Sequence, residues 1–179
     1  VNIYQLSLSK NTIVQISDSL NNLANLEKIF LNDNEITSLS NDISSLIELT
    51  VLEASNNKIK ELPWELTKLT ELEYLHLENN KIKELPPTMG EFKNLKRLIL
   101  NNNFISELPE SFKDLSQIQK LELSHNPIKI LPEFLLELKN LKLVDLSGTA
   151  IYDDENKKNN IEIITKLKDL NCKVVLSSK

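Results

Sequence analysis

An asparagine returns every 23 residues along this chain, at Asn11, Asn34, Asn57, Asn80, Asn103 and Asn126. The apolar residues keep the same step. Leu6, Ile29, Leu52, Leu75, Leu98, Leu121 and Val144 form one column, and Leu8, Leu31, Ala54, Leu77, Leu100, Leu123 and Leu146 form a second. A fixed period of this size is the mark of a solenoid, in which each coil buries its apolar side only against its neighbours. A stack of coils offers a broad face rather than a closed cavity, which turns the functional expectation toward recognition.

The stretch from Leu72 to Asn94 shows how one period is built. Leu75 and Leu77 alternate with Tyr74 and His76, and a period of two over a short run is a half-buried strand. Copies stacked in register make a parallel sheet along the inner curve. Asn80 then turns the chain inward, and its amide can pair with backbone groups of its own turn and of the next coil. Leu85-Pro86 opens the return path, where Met89 and Phe92 fall at helical or 3-10 spacing. Burying a leucine against neighbouring coils stabilises by roughly 1.5–3 kcal/mol, which no coil obtains alone.

The pattern L-x-x-L-x-L-x-x-N-x-I-x-x-L-P-x-x-I-x-x-L-x-x resembles the leucine-rich repeat in its 23-residue form, as found in intracellular scaffolds related to Ras-binding proteins and in bacterial repeat proteins. The resemblance covers Ile3 to about Ile151: six full turns from Ile3, Leu26, Leu49, Leu72, Leu95 and Ile118, and a partial seventh from Leu141. It implies an α/β fold, a horseshoe-shaped solenoid with a parallel sheet on the concave face. Repeats are expected over residues 1–151 and a capping helix and strand over 152–179.

Departures from the pattern carry their own expectations. Ser17 and Ser40 stand where later repeats have Pro63, Pro86, Pro109 and Pro132, which predicts a looser return path at the N-terminal end. Thr149 replaces the ladder asparagine. Asp153-Asp154-Glu155 then reads as a helix start, Ile161, Ile164, Leu167 and Leu170 as its apolar face, and Lys173–Leu176 as a last strand. That arrangement suits a terminal cap, apolar toward the last repeat and polar toward water. Val1 enters the repeat almost in phase and Met89 is the lone methionine, so the natural start is expected upstream, with the first repeat uncapped and the C-terminus authentic.

Composition bounds the partners. A net charge of -5 and a pI near 5.2 argue against nucleic acid or an anionic membrane. No apolar run reaches membrane-spanning length. The single cysteine, Cys172, has no partner for an internal disulfide, which favours a reducing, cytoplasmic setting. Bacterial proteins exported or displayed at the surface also do without cysteine, so that setting stays open.

Function is expected where the scaffold makes no demand. Two outward strand columns run Gln5, Lys28, Val51, Tyr74, Arg97, Lys120, Leu143 and Ser7, Phe30, Glu53, His76, Ile99, Glu122, Asp145; a third holds Ser9, Asn32, Ser55, Glu78, Asn101, Ser124 and Ser147. Phe30, Val51, Tyr74, His76, Arg97 and Ile99 fall in the middle of this surface, with Glu53, Lys120 and Glu122 among the polar rim. Aromatics and arginine are the types enriched at binding hot spots. The competing reading is that Phe30, Val51 and Ile99 merely favour β structure. The expectation is a protein partner, engaged by a scaffold or adaptor; the resemblance suggests a small GTPase, or a host protein for an exported bacterial relative. A third possibility is the recognition part of a larger GTPase or kinase.

Trp64, just after Pro63, reads as packing against a neighbouring loop or as a second anchor, and Phe104 and Pro127 as extensions of the concave patch. No catalytic, metal or cofactor site is expected. Ser124 and His125 are adjacent, and adjacent residues near a strand's end rarely meet through their side chains. One histidine, His76, with Glu53 and Glu78 is a poor metal set. Gly90 and Gly148 form no phosphate-cradling loop.

Overall fold

The computed structural model describes residues 2–16, 20, 22–153 and 155–177. Val1, Ser17 and Asp154, on which expectations above fall, lie outside the described residues. Eight parallel strands form one sheet whose spatial order follows the chain: β1 (Gln5–Ser7), β2 (Lys28–Phe30), β3 (Val51–Glu53), β4 (Tyr74–His76), β5 (Arg97–Ile99), β6 (Lys120–Glu122), β7 (Leu143–Asp145) and β8 (Lys173–Val175). Strands β1 to β7 start 23 residues apart and pair without slippage, Tyr74 beside Arg97 and Arg97 beside Lys120. The periodicity set this register, because a slip by one residue would turn every leucine to water.

The return path carries short 3-10 helices at Asn41–Ser45, Trp64–Lys68, Met89–Glu91, Glu110–Asp114 and Glu133–Glu137. Leucine, isoleucine, Phe92 and Phe112 fill the space between these and the sheet. Ser40 brings a bond of its own to this side. Its hydroxyl accepts a 3.2 Å bond from the Asp42 N–H, a cap that Pro63, Pro109 and Pro132 do not supply.

The recurrent asparagines are buried from Asn34 to Asn126. Asn80 is representative: its Nδ2 donates to the carbonyls of Ala54 at 2.9 Å and Leu77 at 3.0 Å, while its Oδ1 accepts from the Ile59 N–H at 3.0 Å. Each asparagine thus satisfies backbone groups of its own coil and of the preceding one, which would otherwise be left unpaired indoors. Asn11 is exposed and, among the described residues, reaches only Leu8 and Ser9. The residue just before each asparagine is left-handed, at Lys10, Asp33, Asn56, Asn79, Asn102 and His125, and Gly148 repeats the conformation before Thr149. Asn and Asp tolerate that region better than most residues, which accounts for their frequency there.

The C-terminal region corrects one expectation, the apolar face of its helix. Helix α1 runs Lys157–Asp169 after Asn156, directly beyond the acidic stretch that reads as its start. Its buried face is Asn160, Ile163, Ile164 and Leu167, whereas Ile161 is exposed and Leu170, just past the helix, is 60% exposed. A pure three-residue step drifts off a helix that advances 3.6 residues per turn.

Asn160 takes over where Thr149 breaks the ladder. Its Nδ2 donates to Lys129 O at 2.7 Å and Ile151 O at 2.8 Å, and its Oδ1 accepts from the Leu131 N–H at 2.9 Å. Replacing Asn160 with alanine strands three backbone groups under α1, an expected loss of about 3 kcal/mol. Urea unfolding with hydrogen exchange at the Leu131 amide checks this; unchanged protection there contradicts the assigned role.

Candidate functional site

The two outward columns stand side by side on the sheet as the alternation requires, and the structure places all nine expected residues there. Phe30, Val51, Tyr74 and Arg97 are partly buried, with accessible surface remaining. Ile99 is a correction: it faces outward but is only 6% exposed, flanked in register by the longer side chains of His76 and Glu122. It forms floor rather than contact surface.

The carboxylates of the patch are held in place. Glu53 accepts a 2.8 Å bond from Asn32 Nδ2 and lies 3.7 Å from His76 Nδ1. Glu122 pairs with Lys120 and accepts a 2.8 Å bond from Asn101 Nδ2. Asn32 and Asn101 use their carbonyl oxygens on the Ser55 and Ser124 N–H groups, so each bridges backbone and carboxylate. Sequence reasoning placed both outward but gave them no role. The usable signal was an asparagine 21 residues before a glutamate, the ladder's separation taken in the opposite direction along the chain.

Burial pushes the His76 imidazole below its ordinary pKa; Glu53 pulls it upward and Arg97 pushes it down again. His76 is therefore neutral near pH 7, and its approach to Glu53 is a polar contact rather than an ion pair. Burial opposes ionisation of Glu122, yet the bonds from Lys120 and Asn101 outweigh it and hold the carboxyl below its usual range. Arg97 differs from both: among the described residues no hydrogen bond or ion pair satisfies its guanidinium, and its Nε is covered.

Off the sheet, Trp64 is 50% exposed, so loop packing covers only half of it. Lys68 Nζ sits 4.2 Å from its ring centroid, and the indole borders an open recess of 530 Å³ with Leu39, Pro63, Leu85 and Pro86. Phe104 is 57% exposed and lines a separate recess with Lys60, Lys81 and Lys83 rather than with the strand residues, so it does not enlarge the patch. Ser124 is buried while His125 is exposed in its left-handed turn, and no hydrogen bond joins them among the described residues. No group of three His, Cys, Asp or Glu side chains among the described residues is placed to hold a metal ion.

An open parallel sheet of stacked coils, each packed only on its neighbours, defines a repeat solenoid. The profile described as leucine rich repeat matches residues 70–128 and 93–151, and that described as two copies of the repeat matches 47–88. Together they cover more than half of the chain, which belongs to the leucine-rich repeat family. A leucine-rich repeat protein of Leptospira interrogans is 32% identical, with a TM-score of 0.86 over 94% of this chain and 42% of its own. An internalin of Listeria monocytogenes shares the fold at 22% identity, with a TM-score of 0.78 over 96% of this chain and 48% of its own. The chain thus spans less than half the length of either. No curated protein matches it in sequence. The family's fold commonly serves as a protein-interaction module and is typically non-enzymatic.

Proposed function

We propose that the chain binds a protein partner on its concave face, as a scaffold or adaptor, with Phe30, Tyr74 and Arg97 as principal anchors. Val51, Glu53, His76, Lys120 and Glu122 surround them, and Ile99 supports them from beneath. The observation that carries this reading is the in-register grouping of Val51, Tyr74 and Arg97 on adjacent strands, none of them needed by the core. Tyrosine and arginine dominate interface energetics because they combine large contact area with directional hydrogen bonding.

The likeness to the Leptospira protein over nearly the whole chain favours a bacterial setting, in which the partner is a host or surface protein. A cytoplasmic scaffold that engages a small GTPase is the other setting. In either case Tyr74→Ala and Arg97→Ala should each weaken capture of the partner by tenfold or more, on the scale of hot-spot truncations. Circular dichroism should stay unchanged. Undiminished capture by both variants would remove the concave face as the binding surface.

A further inference from the structure

The lysines on and beside β5 and β6 are answered from within. Lys120 is paired with Glu122, Lys96 with Glu73 at 2.7 Å, and neutral His76 faces Glu53. Arg97 forms no such pair, although its charge is felt by Glu122 and His76. It is the single arginine among 21 basic residues, it sits in the centre of the sheet, and no acceptor reaches its guanidinium among the described residues. Its Nε is already out of water without a hydrogen bond, so part of the desolvation that docking demands has been met in the free protein.

We infer that Arg97 is the receptor for one acidic side chain, aspartate or glutamate, presented by an extended segment of the protein partner. This rests on the concave-face reading above and names what is recognised there. The guanidinium fork fits a carboxylate through two parallel N–H···O bonds, stronger than neutral hydrogen bonds. Glu53, Glu78 and Glu122 lie near enough to act on the neighbouring His76, and a phosphate dianion would meet about twice the repulsion from them that a carboxylate meets. A chain-terminal carboxylate is disfavoured as well, because capture of a terminus uses a nest of free backbone N–H groups and these strands spend theirs on the ladder.

The column also sets the spacing. Val51, Tyr74 and Arg97 follow one another across the sheet at about 4.8 Å per strand. An extended peptide laid along the column presents same-side residues about 6.6 Å apart, so an apolar residue two positions from the acid reaches Tyr74 or Val51.

Random displayed dodecapeptides panned on the chain test the inference. The expected yield is enriched in Asp or Glu two residues from an apolar side chain. A selected peptide, made with acetylated and amidated ends, should bind Arg97→Met about tenfold more weakly and Arg97→Lys with an intermediate loss. With one arginine in the chain, its Nε–Hε resonance is a single NMR signal, and it should shift with the peptide but not with the Glu→Gln version. Selected peptides without acidic enrichment, or equal affinity for Arg97→Met, overturn the inference. If such peptides are still lost on Tyr74→Ala, the concave-face reading stands and only the acidic receptor fails. Peptides held equally by Tyr74→Ala and Arg97→Met, or no binder at all, sink both. A larger shift with inorganic phosphate than with the acidic peptide would overturn the choice of a monoanion.

Discussion

Asn103→Leu is expected to destabilise the chain by about 3–5 kcal/mol, the sum of several buried backbone groups losing their partners. The size of the loss follows from where the amide spends its bonds. Asn103 Nδ2 serves the carbonyls of Leu77 and Leu100, both at 3.0 Å, and Oδ1 serves the Ile82 N–H at 3.0 Å. Leucine matches the volume but returns none of these bonds, and water has no route to groups this deep. Asn11→Ala supplies the comparison, since that residue is exposed and its bonds among the described residues stay within its own turn; its cost should stay below about 1 kcal/mol. Urea denaturation of the two variants reads the difference. Similar midpoints would mean that the asparagines follow the turn rather than hold it.

Gly90→Ala should cost about 3 kcal/mol for a steric reason. A Cβ at Gly90 would press into the Ser111 carbonyl oxygen of the next coil and sit 2.8 Å from the Asp114 Cβ. A backbone carbonyl fixed by stacking cannot rotate away, so two coils must separate. Gly148→Ala meets the ring of His125 instead, at an exposed turn where that side chain can yield. The penalty there should be nearer 1–2 kcal/mol, mostly from the left-handed backbone at φ 67°. Thermal unfolding orders the pair, and a milder effect at Gly90 than at Gly148 would contradict the close approach.

The sheet register was legible before any coordinates because one spacing governs both the leucines and the asparagines, leaving a strand no second way to bury its apolar side. The outward columns followed from the same arithmetic. What escaped was set by neighbours outside the period. Ile99 reads as an exposed apolar residue until His76 and Glu122 flank it. Asn160 looks like one polar residue in a lysine-rich helix, and only the folded chain shows it beneath Leu131. The helix face was misread at Ile161 and Leu170 because a short run permits several apolar stripes, and contact with the last coil chooses among them. Trp64 depended on how far the loops of adjacent coils stand apart, which spacing in one dimension does not encode.

The inter-coil bonds of the ladder all span 21 or 26 residues, so each coil leans only on those beside it. Fraying at β1 or β8 breaks no bond held by β4 or β5, and rigidity therefore rises toward the centre of the stack. Tyr74 and Arg97 occupy that stiff centre. A partner docking there, as proposed, would meet a surface already set, and would lose little binding strength to ordering the host.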